Sequence, residues 1–465
     1  MARKVLISFL GTNDYFPVYY TWGERRRQTT DHRTKFIQEA LSSRLCKDWS
    51  PNDCIMVFRT RESNDINWKD KDGVPGLKTV LQNISGLKCS INPEPDPSGD
   101  RDSYMIPVGF GEQEMWEIFK CVFDKLNKED EIYFDVTHAF RTIPMFATVL
   151  FNYARFLKHT DVKGVYYGAF ETLGPLYKIK SLPPAQQEQL SVPIVDLTNI
   201  VRLQEINTAA ANFRDFGNLS SLSDILYETG ISDLDKAVED ISVALDDLDF
   251  FIQTCRIDDI REGIYMQTIS DRIATFCNSH VTNDAQRSLL REISKQLEEY
   301  GFKVYDSFRN VEAAINWAID HRMIQQAYTM AKEYLISRVY KVMTDADLED
   351  ALVRELDANG DISRNPQNRK YKIREALGSI LGTYKSIVGG RICFRGSRWR
   401  NSQAANRLLQ ASRIVYDLTA PYRAITERRN HLNHAATTGD RADSYDDYRE
   451  EFLENWKKCM NTITN

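Results

Sequence analysis

The chain has 465 residues, 42% of them hydrophobic and 27% charged, with a formal net charge of −6. A chain of that length exceeds a single core and calls for two or three domains, and its negative balance excludes a globally basic nucleic-acid binder, leaving local patches for such contacts. Its 8 cysteines are scattered with no Cys-x-x-Cys pair, which excludes a disulfide framework or zinc site of the usual spacing. The apolar run Val5 to Leu10 is too short for a signal peptide and nothing approaches a membrane span, so a cytoplasmic location is expected.

Taken in order, the first third reads as α/β. Lys4 to Leu10 is a buried-strand candidate, broken by the polar turn Gly11-Thr12-Asn13-Asp14-Tyr15. Thr34 to Leu45 has helical spacing, with Phe36, Ile37, Ala40, Leu41 and Leu45 facing the sheet. Asp53 to Arg59 is a second strand, and the prolines between 92 and 103 mark a loop. A helix over Glu112 to Leu126 precedes the strand Glu131 to Thr137 and the stretch His138-Ala139-Phe140-Arg141-Thr142-Ile143-Pro144. Another helix runs to about His159, and Gly164 to Phe170 is a further strand. Such alternation predicts a largely parallel, Rossmann-like sheet whose ligands sit beyond the carboxyl ends of its strands.

The polar loops leave those ends. Thr12, Asn13, Thr137, His138 and Arg141 therefore surround one crevice, and an arginine, hydroxyls and helix-start amides suit phosphates. Gly109-Phe110-Gly111 continues to Glu114 where a dinucleotide fingerprint needs glycine, and no Walker lysine loop exists. Turn and cap residues with no ligand are the plainer account of the same loops.

The middle, from about 200 to 315, is a run of amphipathic helices over Leu219 to Tyr227, Leu234 to Phe250, Ile260 to Ser279 and Ala285 to Tyr300. It reads as a connector that transmits dimer geometry, or as a plain spacer. The last third reads as all helix. Met323 to Val342 is a core helix, and Asp357 to Asp361 is a turn that lacks a calcium loop's spacing. Between 391 and 400, Arg391, Arg395, Arg398 and Arg400 alternate with Phe394 and Trp399, which suits single-stranded nucleic acid. A solvated charge run is the alternative.

Near the end stands Glu427-Arg428-Arg429-Asn430-His431-Leu432-Asn433-His434. Thr419 can cap this helix and Pro421 can sit in its first turn, with Ile425 and Leu432 on one face. Arg429 and His434 lie about 140° apart on an ideal helix, so they meet only at a distorted end or across two facing copies. Solvated side chains, or a metal site from Glu427, His431 and His434, would account for the same residues.

Gly11 to Tyr15, Phe36 to Leu41, Pro107 to Gly111, Phe134-Asp135-Val136-Thr137-His138-Ala139-Phe140-Arg141 and Tyr167 to Glu171 together resemble the CARF domain (CRISPR-associated Rossmann fold) of type III CRISPR ancillary proteins. Arg429-Asn430-His431-Leu432-Asn433-His434 resembles the Arg-x-x-x-x-His motif of the HEPN ribonucleases that follow such domains. The likeness covers roughly 1–180 and 320–440. Ala139 departs from it, since many relatives carry glycine there.

The resemblance implies a sensor domain over 1–185, a helical connector over 186–315 and a HEPN ribonuclease domain over 316–465. It implies metal-independent cleavage of single-stranded RNA by a homodimer, in which the 2′-hydroxyl attacks to give a 2′,3′-cyclic phosphate. It assigns Arg429, His434 and Asn430 to catalysis and Thr12, Asn13, Asp14, Thr137, His138, Ala139, Phe140 and Arg141 to the activator. No cofactor is implied beyond that activator, cyclic tetra-adenylate first and cyclic hexa-adenylate second. Two other functions stay open: a ligand-binding regulator whose RNase site is inactive, and a ring nuclease that cuts the activator.

Overall fold

Every side chain from Val5 to Leu10 is buried, which only a central strand covered on both faces allows. The structure, a computed structural model, describes residues 2–23, 28–93, 102–138, 143–220, 235–278, 284–360, 366–383, 385–388, 391–394, 398–433 and 443–464. The chain divides into two compact units, Met1–Gln204 and Glu205–Asn465.

The first unit is α/β. Its strands are β1 (Lys4–Leu10), β2 (Tyr19–Trp22), β3 (Gln28–Thr29), β4 (Cys54–Arg59), β5 (Ser90–Ile91), β6 (Glu131–Asp135), β7 (Asp161–Gly168) and β8 (Ser191–Asp196). They form one sheet in the order β3-β2-β8-β7-β6-β1-β4-β5. β1 pairs in parallel with β4 and β6, as do β4 with β5, β6 with β7, and β2 with β8. The pairs β7–β8 and β2–β3 are antiparallel. The expected largely parallel sheet is present, widened by four strands that the sequence reading lacked: β2, β3, β5 and β8. Three of those four have four residues or fewer, too short for a visible period.

Helices α1 (Ile37–Leu45), α2 (Glu112–Lys125) and α3 (Ile143–Lys158) pack on this sheet. α1 starts at Ile37 rather than Thr34 because Thr34 is drawn into an extended bridge with Val18. The Thr34 hydroxyl then accepts from the Phe36 amide at 3.0 Å, which turns the chain into the helix.

The second unit is helical. Its helices include α4 (Asp235–Gln253), α5 (Ile257–Glu262), α6 (Ile264–Asn278), α7 (Asp284–Tyr300), α8 (Phe308–Asp320), α9 (Ile324–Asp345), α10 (Glu349–Ala358), α11 (Pro366–Gly382), α12 (Gln403–Ala411), α13 (Thr419–Asn433) and α14 (Tyr445–Thr464). One buried cluster runs through them from Ala209 to Cys459, with Trp317, Tyr328, Tyr334 and Phe452 among its largest members. The Asn310 amide, fully buried, donates to the carbonyls of Arg261 and Tyr305 at 3.0 and 3.1 Å and accepts from Lys303 N. The predicted helix over Leu219 to Tyr227 falls mostly outside the described residues.

Two expectations change here. The last third is not all helix: Lys385–Val388 (β9) and Arg391–Phe394 (β10) form an antiparallel hairpin. The predicted helix Ile260 to Ser279 is two, α5 and α6, because Gly263 takes a left-handed φ of 73°. A side chain there would also place its Cβ 2.6 Å from the Lys303 carbonyl oxygen. No described helix is long and apolar enough to cross a membrane.

Gly263→Ala should therefore destabilise the second unit by roughly 1–3 kcal/mol from backbone strain before any clash is counted. Thermal unfolding should show a fall of about 2–4 °C per kcal/mol. An unmoved melting curve would mean that the α5–α6 junction does not need the glycine.

Candidate functional site

The sheet order places a reversal at β1. From β1 the chain moves outward to β4 and β5, then returns to the other side as β6 and β7. A crevice opens at the carboxyl ends of the two strands on either side of such a switch, here β1 and β6.

Its floor is a buried polar chain. Asp135, fully buried, accepts from Ser8 Oγ at 2.7 Å and from the Thr137 amide at 3.0 Å. Gln38 reaches up from α1 to donate to the same Ser8 oxygen at 3.1 Å and to the Phe9 carbonyl at 3.3 Å. Burial pushes the Asp135 carboxyl above the usual range, against the hydrogen bonds from Thr137 and Ser8. The Thr137 hydroxyl accepts from the Gly168 amide at 2.8 Å, which joins the ends of β6 and β7.

The two loops meet above that floor. The Tyr15 hydroxyl accepts from the Gly11 amide at 2.9 Å, and its ring packs 4.3 Å from the His138 ring. His138 keeps some surface, but its Nε2 is buried and has no hydrogen-bond partner among the described residues. Burial lowers its pKa to about 4, so the ring is neutral at pH 7. Thr12, Asn13 and Asp14 are exposed, and the Asp14 carboxylate accepts from Lys180 Nζ at 2.6 Å. Ala139, Phe140 and Arg141 lie outside the described residues.

Gly109-Phe110-Gly111 is not a vacant phosphate loop. Glu114 Oε2 accepts from the amides of Gly109 at 2.7 Å and Phe110 at 3.0 Å, so a carboxylate of the chain occupies the start of α2.

In the second unit, α13 buries Pro421, Tyr422 and Ile425, and Leu432 packs against the same core. Thr419 does not cap this helix. Its hydroxyl donates to the Val415 carbonyl at 3.2 Å and accepts from Lys385 Nζ at 2.6 Å, while the Ser412 hydroxyl caps the preceding turn at Ile414. Burial lowers the pKa of that lysine to about 7.

The three basic residues in the second half of α13 divide in two. The Arg428 guanidinium pairs with Glu451 and Asp443 and lies 5.1 Å over the Tyr448 ring. Those bonds, that to Glu451 foremost, push its pKa up. His431 Nδ1 shares a hydrogen bond with the Tyr448 hydroxyl, and the two rings stack. Both residues thus dock α13 onto α14. Arg429 faces elsewhere and meets no carboxylate among the described residues. The Asn433 amide lies 3.0 to 3.1 Å from its three guanidinium nitrogens, a position in which only an amide oxygen can accept. Asn430 Oδ1 stands 3.5 Å from Arg429 Nη1. α13 is described to Asn433, and His434 lies outside the described residues.

Of the set Glu427, His431 and His434, His431 is engaged by Tyr448 and His434 lies outside the described residues. Of the predicted RNA-contacting arginines, Arg398 and Arg400 are exposed on a 3-10 turn, Arg391 opens β10, and Arg395 is outside the described residues. Phe394 and Trp399 do not lie open to stack on bases. They are 3% and 4% exposed, and the Trp399 indole donates to Ser379 Oγ at 2.9 Å.

Sequence reasoning missed Asn67 and Lys180. Asn67 Nδ2 donates to the carbonyls of both Gly11 and Asn13 at 3.0 Å from a π-helical turn, Asn64–Trp68. The signal available was Thr60-x-x-Ser63, whose capping box marks a helix start directly after β4.

No family model matches the chain. Over 153 residues, 32% of its length, it is 30% identical to CRISPR-associated protein MJ1674 of Methanocaldococcus jannaschii, and it spans 22% of that protein. A solved structure, Enterococcus italicus Csm6 bound to cyclic hexa-2′-fluoro-hexa-dAMP, is 11% identical with a TM-score of 0.38, covering 99% of this chain and 94% of that one. By sequence the chain is similar over those 153 residues to a CRISPR-associated protein, and in chain order a Rossmann-like sheet precedes a helical unit.

Neutral burial of His138 has a pH signature. The unfolded chain takes up a proton near pH 6.5 and the folded site only near pH 4, so stability should be lost as pH falls through that window. Urea unfolding of His138→Phe should lose part of the wild-type slope between those values; identical slopes would mean that His138 titrates freely.

Proposed function

We propose that this relative of a CRISPR-associated protein is an endoribonuclease, switched on by a cyclic oligoadenylate and acting as a homodimer in type III CRISPR defence. The observation that carries the reading is the division of basic groups on α13. Arg428 and His431 are consumed in docking the helix, while Arg429 is held by amides, which orient a guanidinium without neutralising it.

In this reading the RNA 2′-oxygen attacks the adjacent phosphorus and the bond to the 5′-oxygen breaks. His434 takes the 2′-hydroxyl proton or delivers one to the leaving 5′-oxygen, work worth about 10²–10⁴-fold. Arg429 offers a planar fork to the developing phosphorane charge. Asn430 positions its neighbours, and the facing α13 of a second copy supplies the approach that one helix cannot. Arg398 and Arg400, with Arg391 and Arg395 nearby in sequence, would guide the strand by charge, since the aromatic residues between them are buried. The crevice of Thr12, Asn13, Asp14, Thr137, His138, Ala139, Phe140 and Arg141 would take the activator. An even-numbered ring, cyclic tetra-adenylate before cyclic hexa-adenylate, fits the axis of a two-fold dimer.

Arg429→Ala and His434→Ala should each lower RNA cleavage by about 10²-fold or more while calorimetry still detects activator binding. Wild-type cleavage by either variant refutes the assigned site. Excess EDTA should leave the rate intact and the products should carry cyclic phosphate ends; loss on chelation, restored by a divalent ion, would favour Glu427, His431 and His434 as ligands. Arg141→Ala should shift the activator titration to higher concentration, each lost charge-assisted contact costing roughly 1.5–3 kcal/mol. An unshifted titration removes Arg141 from the pocket.

A further inference from the structure

We propose that Asn67 is a positioning residue for the crevice: it turns the backbone N–H groups of Thr12 and Asp14 outward, and these amides, not the side chains of Thr12 and Asn13, take a phosphodiester of the cyclic oligonucleotide. The proposal rests on the activator-binding reading given above and assigns the anion contact within it.

The geometry starts from one nitrogen. Asn67 is 4% exposed, and its Nδ2 donates to the carbonyl oxygens of both Gly11 and Asn13, each at 3.0 Å. Two carbonyls of one short loop therefore converge on a single buried point. No described peptide bond is cis. In a trans peptide the C=O and the following N–H point in opposite directions. The amide after Gly11 belongs to Thr12 and the amide after Asn13 to Asp14, so both are driven to the face away from Asn67. That is the exposed face, and neither N–H donates to another described group. Two exposed backbone N–H groups on one loop can each donate to a phosphate oxygen.

The surroundings hold that arrangement. The Gly11 amide is already engaged by the Tyr15 hydroxyl, which closes the loop at its base. The Asp14 carboxylate, which would repel an anion, is turned to Lys180 at 2.6 Å. Asn67 itself sits on a braced turn. Buried Arg59 donates to Asn64 Oδ1 at 2.9 Å and lies 4.2 Å over the Trp68 ring, and the Thr60–Ser63 capping box fixes the turn's start. A one-residue widening of a helix at such a point aims a single side chain where a regular helix would not.

The test is calorimetry of cyclic tetra-adenylate and cyclic hexa-adenylate binding to the full chain. Asn67→Asp keeps the size of the side chain and removes both donors, so it should weaken binding by about tenfold or more. Thr12→Pro, which removes the N–H, should weaken binding about as much as Asn67→Asp and clearly more than Thr12→Ala, which keeps the N–H. Melting curves identify any variant that fails to fold; if Asn67→Asp is one, the contrast between Thr12→Pro and Thr12→Ala decides. Binding by Asn67→Asp at wild-type affinity, or equal losses in Thr12→Ala and Thr12→Pro, overturns the proposal while the activator reading stands. Failure of the wild-type chain to bind either ring overturns both.

Discussion

A fully buried carboxyl group governs the first unit. Asp135 ends β6 inside the protein, and a carboxylate there is tolerated when donors surround it. Ser8 and the Thr137 amide supply them, and Gln38 supports Ser8 from α1. The arrangement fixes more than one side chain. It sets β6 against β1, stops β6 at a defined residue, and stands Thr137 where its hydroxyl receives the Gly168 amide of β7. Three strand ends and one helix are thus tied to one oxygen pair, and the crevice inherits its rigidity from them.

The helical unit uses polar groups differently. Asn310 joins its loops through three buried hydrogen bonds, while the α13–α14 contact is made by Arg428, His431 and Tyr448. Spending Arg428 and His431 on packing leaves Arg429 on the same helix oriented but unneutralised. Charge sorting of this kind follows from helical spacing, since positions 428 and 429 differ by about 100° and cannot face one partner.

What was legible in the sequence follows from period and length. β1, β4 and β6 are apolar runs of ordinary strand length, and α2 and α3 are long periodic helices; all were readable within a few residues. The short strands β2, β3 and β5 were not, because two to four residues carry no period. Gly263 was read through, since one glycine inside a periodic run signals nothing until its φ is known. Phe394 and Trp399 were read as open because arginines surround them in sequence, yet tertiary contacts bury both. At the crevice the loops were visible as polar breaks after strands. Asn67 was not, because its role depends on a turn 54 residues beyond Asn13.

Glu114 bears on selectivity. Its carboxylate sits on the amides that open α2, the kind of place where a free nucleotide phosphate would otherwise settle. An intramolecular ligand competes at an effective concentration in the millimolar range or above, against which a dissolved phosphate gains little. That helix end is in effect plugged from within. On the proposed reading, the plug shuts a second door and leaves the crevice between β1 and β6 to take the activator.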